Sequence, residues 1–176
     1  PGTKDASPVP SDSLCYQQKR VLKNNLSATD TIIIVDDPKY LEEIASWEGH
    51  CKNLNMVKIG KELIHYLGVS DTEPYRLLNV TRGYWNTEAS SHSTNDTIYK
   101  LQVTLNYGYD GVIPNMALQD EIAEVYAEIA SVNGIRYYDF DGFEFLWNSG
   151  HGYYSTKRFL RKMFEHAKEL GVDYIR

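Results

Sequence analysis

The chain has 176 residues, of which 42% are hydrophobic and 12% aromatic; this is enough for one medium domain or two small ones with packed cores, and too apolar for disorder beyond the ends. The formal net charge of −6 argues against nucleic acid as a partner, because phosphate backbones are held by clustered Lys and Arg. No apolar run approaches the roughly 20 residues that span a bilayer, so no membrane partner is expected, and the absence of a charged-then-apolar leader leaves open a signal already removed.

Cys15 and Cys51 are too few for a disulfide scaffold and lack zinc-type spacing, so one bridge and two buried thiols are equally compatible with the sequence. Three glycosylation-type sequons, at Asn25, Asn79 and Asn95, carry meaning only if the source glycosylates secreted proteins.

Residues 1–24, with Pro8-Val9-Pro10 and interspersed Ser, Asp and Lys, read as an extended arm or linker. Residues 25–102 read as a small β-rich module. Short strands are expected at Thr31 to Asp36, Val57 to Ile59, Glu62 to Tyr66, Leu77 to Val80 and Thr97 to Leu101, separated by turn residues. Gly60-Lys61 fits a two-residue type II′ hairpin with Gly first, and Pro38 to Trp47 is expected to form a short helix.

The grammar changes in residues 103–176. Asn115 is a fitting N-cap, and Leu118, Ile122, Val125 and Ile129 recur at helical spacing until Asn133-Gly134 stops the helix. Ile135 to Phe140 then read as a β-branched and aromatic strand. A second helix, opened by Ser155, carries Phe159, Leu160, Met163, Phe164, Ala167 and Leu170 as its apolar stripe and ends at Gly171. Val172 to Ile175 would begin another strand. The order helix, strand, helix, strand is that of a parallel α/β unit, in which function gathers beyond the carboxyl ends of strands. The expected fold class is therefore α+β to α/β.

The candidate site lies at the end of the expected strand. In Tyr137-Tyr138-Asp139-Phe140-Asp141-Gly142-Phe143-Glu144, Asp139 and Asp141 would share one face, with α-carbons about 6.6 Å apart, and Glu144 can curl back toward them. Crowded carboxylates do not all ionise cheaply, so one is expected to keep its proton, as a general acid requires. The plainer reading pairs Asp139 with Arg136 or Arg158, makes Asp141-Gly142 a turn and leaves Glu144 solvated. The following loop carries Trp147, Asn148, His151, Tyr153 and Tyr154, a mixture suited to stacking on pyranose rings, although such aromatics also form ordinary satellite cores. The acids do not follow a calcium-loop spacing, so no metal or other cofactor is expected.

Two stretches carry a family resemblance. Val57-Lys58-Ile59-Gly60-Lys61-Glu62-Leu63-Ile64-His65-Tyr66, with Val80-Thr81-Arg82-Gly83-Tyr84-Trp85-Asn86-Thr87 and Ser91-His92, resembles a small β-module pattern of secreted and phage-type proteins, with Asn86 where that pattern usually has Gly. Phe140-Asp141-Gly142-Phe143-Glu144, with Gly150-His151-Gly152 and Tyr154, is similar to the barrel segment of large bacterial glycoside hydrolases that carry such a module as an insertion, and Pro8-Val9-Pro10 resembles their lead-in to it. The resemblance implies part of a (β/α)8 TIM barrel, export to a secreted, periplasmic or cell-surface location, and an oligo- or polysaccharide as substrate. It makes Glu144 the acid, with Asp141 as the neighbour that raises its pKa or positions substrate and Asp139 a less secure third candidate. Trp147, His151 and Tyr154 are the expected substrate-binding residues. A closed barrel needs about 250 residues, so the chain is expected to be a fragment that is inactive alone and either self-associates or awaits the rest of its barrel. The rival expectation is a non-enzymatic carbohydrate-binding or adhesion module. Buried acids of raised pKa would favour the enzyme, and exposed acids beside open aromatics the binder.

Overall fold

A computed structural model of the chain describes residues 13–41, 55–106, 109–140, 143 and 151–172. The fold is mixed α+β, in two compact units, Pro1–Ile113 and Pro114–Arg176. The division falls after Ile113, so the hairpin that follows Gln102 goes with the β-rich part.

The first unit is built on a four-stranded antiparallel sheet in the order β1-β6-β2-β3. Its strands are β1 (Tyr16–Val21), β2 (Asn55–Ile59), β3 (Glu62–Tyr66) and β6 (Thr97–Leu101). β2 and β3 form the expected hairpin, closing at the Ile59↔Glu62 pair. Gly60 takes φ +57°, the positive φ that a type II′ loop requires at its first residue. β6 falls on the expected residues. β1 lies inside the stretch read as an arm; its Gln17-Gln18-Lys19-Arg20 core shows no apolar alternation, because an edge strand is held by its backbone ladder, here to β6, and shows much of its surface to water. Leu22, just beyond β1, is fully buried.

Thr31 to Asp36 does not form a ladder strand. Ile33 and Val35 enter the core while Ile32 stays exposed, so the alternation is present, but the segment is shared between two neighbours through single bridges, Leu22↔Val35 and Ile34↔Arg76. The strand expected at Leu77 to Val80 shortens to β5 (Leu77–Leu78), paired with β4 (Gly68–Val69), and Asn79 turns away at φ +51°. β7 (Val103–Asn106) and β8 (Tyr109–Val112) pair as a further hairpin. Of the helix expected over Pro38 to Trp47, residues 39–41 form a turn and 42–47 lie outside the described residues.

The sheet has two apolar faces. Val57, Ile59, Ile64, Tyr66 and Ile98 pack with Leu22, Ile33, Val35 and Leu77 on one. Met56, Leu63 and Leu101 pack with Leu14, Trp85 and Val112 on the other. Each buried aliphatic side chain of this size contributes about 1.5–3 kcal/mol.

The second unit contains α1 (Met116–Asn133) and α2 (Tyr153–Glu169). Asn115 caps α1 as expected, its Oδ1 accepting the Leu118 amide at 3.0 Å, and Gly134 ends it at φ +67°. The buried face of α1 is not the expected Leu118, Ile122, Val125 and Ile129 stripe. Gln119, Ala123, Ala127 and Ala130 are buried, Ile122 is partly buried, and Val125 and Ile129 are exposed, because small side chains allow the closest approach of a second helix. α2 begins at Tyr153, ahead of the expected opener Ser155. It buries Phe159, Met163 and Ala167, with Leu160 partly buried and Phe164 and Leu170 exposed.

The polar contacts between these helices fix their relative direction. Asp120 pairs with Arg158, Glu124 pairs with Lys162, and His166 Nε2 lies 3.9 Å from Glu128 Oε1. Partners advance together along both chains, so α1 and α2 run parallel, and the segment after Gly134 turns back along the C-terminal turns of α1. Ile135 to Phe140 makes that return without a ladder. The Ile135 amide bonds to the Ala130 carbonyl at 3.0 Å, Tyr138 OH donates to the Tyr126 carbonyl at 2.8 Å, and Phe140 packs on Tyr126 and Phe159. The expected strand is therefore a segment outside any ladder that alternates outward and inward only from Tyr137 to Phe140 and has no strand beside it among the described residues. In the strand expected at Val172 to Ile175, Val172 is a buried non-strand residue and the rest lies outside the described residues.

Candidate functional site

The acidic segment reaches α2 through its aromatic side. Tyr138 and Phe140 stack at 5.5 Å and join Phe143 and Phe159 over the α1–α2 seam. The alternation turns Asp139 outward, and it is exposed. Neither cation considered for it is its partner: Arg158 gives a two-point bond to Asp120 at 2.8 and 2.6 Å, and Arg136 bonds to the carbonyls of Ala130 and Ile135. Hydrogen bonding from Arg158 holds the Asp120 carboxyl below its usual pKa.

Asp141, Glu144 and Trp147 lie outside the described residues, so the expected convergence of three carboxylates is represented by Asp139 alone. His151 is exposed just ahead of α2. Tyr154 is exposed in its first turn, its hydroxyl accepting a bond from Arg158 Nη1 at 3.3 Å. Because Phe140 packs on Phe159 in the second turn of α2, the acidic end of the segment arrives at the N-terminal part of that helix.

A second polar constellation, which sequence reading did not assemble, lies in the first unit. Glu62 opens β3, and its side chain is fully buried. Arg82 donates to it through Nε at 2.6 Å and Nη2 at 2.8 Å, His92 Nε2 lies 2.7 Å from Oε2, and the amides of Gly83 and Ser90 donate at 3.0 and 3.2 Å. Burial alone would raise the Glu62 carboxyl, but these bonds outweigh it and hold the pKa below the usual carboxylate range. Arg82 in turn donates to the carbonyls of Ser27, Asp30 and Ser90.

The residues of the β-module pattern therefore act on one another. Gly83 has φ +59°, and a Cβ there would lie 2.8 Å from the Thr87 carbonyl oxygen, so only Gly fits. Asn86, standing where the pattern has Gly, takes φ +62°, a left-handed position that Asn tolerates better than most residues. Thr87 Oγ1 accepts the Leu63 amide at 3.0 Å and donates to the Tyr84 carbonyl at 2.9 Å, fastening the loop to β3. With Glu62 closed to solvent and its oxygens engaged, this cluster is a scaffold for the loop and offers no reacting atom to a substrate. The signal that could have found it is the co-occurrence of Glu, Arg and His at buried strand and loop positions in one motif.

Comparison of the chain with family models, with curated proteins and with solved structures gave no match.

Proposed function

We propose that the chain is a segment of a carbohydrate-active protein, a glycoside hydrolase in which residues 135–154 form part of the active-site rim of a (β/α) barrel and the β-rich unit is an inserted module. The observation that carries this reading is the course of the second unit: a helix, an extended return and a parallel helix, with an acidic residue at the far end of the return. A parallel α/β unit takes this course, and its functional side chains gather where the return meets the next helix. Asp139 and Tyr154 belong to that end.

In this reading Glu144 protonates the leaving oxygen of a glycosidic bond, and a second carboxylate attacks the anomeric carbon or activates water. Asp141 raises the pKa of Glu144 or positions the sugar, Asp139 contributes from the rim, and Trp147, His151 and Tyr154 hold the ring. The protein acts outside the cytoplasm on an oligo- or polysaccharide. Glu144→Gln in a protein that carries the whole barrel should abolish turnover of an aryl glycoside while leaving the unfolding midpoint nearly unchanged. Turnover at the parent rate would remove Glu144 from the mechanism.

One observation favours a second reading, a glycan-binding module without catalysis. Asp139 is exposed, and Tyr137, Tyr153 and Tyr154 are 68%, 62% and 59% exposed, as expected of an open binding strip. Binding of this chain to immobilised glycans, with an active full barrel also absent, would favour the binder.

A further inference from the structure

We propose that the outer flanks of α1 and α2 are complementary and that one copy of the chain docks its α1 flank on the α2 flank of a second copy. This does not depend on the carbohydrate reading. On the side of α1 away from its alanine seam, Glu121, Val125, Glu128 and Val132 follow one another at 4-3-4 spacing, and all are exposed. Val132 is 84% exposed. The α1 helix contains four acidic residues and no Lys or Arg. On α2, Lys157, Arg161, Phe164 and Lys168 repeat the same 4-3-4 spacing, and all are exposed.

The molecule already contains one contact of this kind, in which the acids of α1 at 120, 124 and 128 meet the bases of α2 at 158, 162 and 166. Laid antiparallel, three of the four positions on the two outer flanks match, and the fourth sets Val132 against the aliphatic stem of Lys157. Glu121 meets Lys168, Val125 meets Phe164, and Glu128 meets Arg161. A parallel arrangement sets Glu128 on Phe164 and Val125 on Arg161, so charge and apolarity select the antiparallel one. The existing pairs of Glu128 with His166 and of Arg161 with Glu165 are at the surface, where exchange of partners costs little. An α1-to-α2 contact is heterologous, so it leaves one free flank of each kind and builds chains of copies without closing a ring by necessity.

The test is sedimentation velocity of the chain over a range of concentration. The average mass should rise above the monomer with concentration and fall back as salt screens the charges. Glu121→Lys and Lys168→Glu should each weaken association by at least about tenfold, since each sets like charges together, and an equimolar mixture of the two variants should associate again because the reversed charges match. Val125→Asp, which leaves every original charge in place, should weaken association as well; circular dichroism confirms that each variant is folded. A chain monomeric at all concentrations, variants that associate like the parent, or a mixture no better than its components would each overturn the proposal.

Discussion

Glu62 and Arg82 meet in a two-point hydrogen bond at 2.6 and 2.8 Å, with side chains 0% and 6% exposed. The pair ties the first residue of β3 to the loop that crosses behind it, and through the carbonyls of Ser27 and Asp30 to a turn more than fifty residues earlier.

Removing one member should cost far more than the pair itself is worth. Glu62→Gln leaves a buried guanidinium without its counter-charge, and a loss of about 3–5 kcal/mol is expected. Arg82→Met should be comparable. In a double-mutant cycle followed by urea unfolding, the double variant should be less destabilised than the sum of the singles. Simple additivity would show that the two residues do not act as a pair.

The same cluster sets an acid limit. The Glu62 carboxyl is held below its usual pKa, so the folded state binds this proton less readily than the unfolded chain. Its stabilising contribution is complete above the unfolded value of about 4.3 and disappears as pH falls through the lower folded value. Stability of the first unit should therefore decline with acid below about pH 4, and the decline should be shallower in Glu62→Gln. Parallel acid-unfolding curves for parent and variant would contradict this assignment.

Backbone conformation sets a third expectation. Gly83→Ala brings a Cβ to 2.8 Å from backbone at φ +59°, so the loop must shift and a loss above about 2 kcal/mol is expected. Asn86→Val should be less stable than Asn86→Gly by roughly 1–2 kcal/mol, because the site at φ +62° penalises a β-branched residue. Equal unfolding midpoints for the two Asn86 variants would remove the strain argument.

In the second unit the effect of charge should be smaller. Arg158→Ala removes a two-point bond to Asp120, but the Arg158 side chain is 37% exposed, so solvent screens the pair and only a small loss, well below that of Arg82→Met, is expected. The contrast with Arg82→Met can be read by thermal unfolding of both variants. An Arg158→Ala loss as large as that of Arg82→Met would place this pair in a far drier setting than its exposure implies.

Features governed by neighbours in sequence were legible beforehand. The β2–β3 hairpin follows from Gly60 between two β-like runs, β6 from its own alternation, and α1 from Asn115 and Gly134, because turns and helix ends are set by a few adjacent backbone angles. β1 was not, since an edge strand takes its pairing from β6 and needs no apolar signature of its own. Ile135 to Phe140 reads as a strand in sequence, but a strand is made by a ladder, and no described strand pairs with it.

What the sequence alone determined is thus local: where α1 and the β2–β3 hairpin begin and end, that the chain has a β-rich and a helical part, and that acids and aromatics gather after Gly134. Only the tertiary structure decided which of two apolar stripes α1 buries, because an alanine face and a valine–isoleucine face share one helix and close approach of α2 selects the smaller. It also decided that Glu62, Arg82 and His92 belong together. Their separations of 20 and 30 residues carry no periodicity, and a buried charge finds its partner only when the fold has removed the water that would otherwise satisfy it.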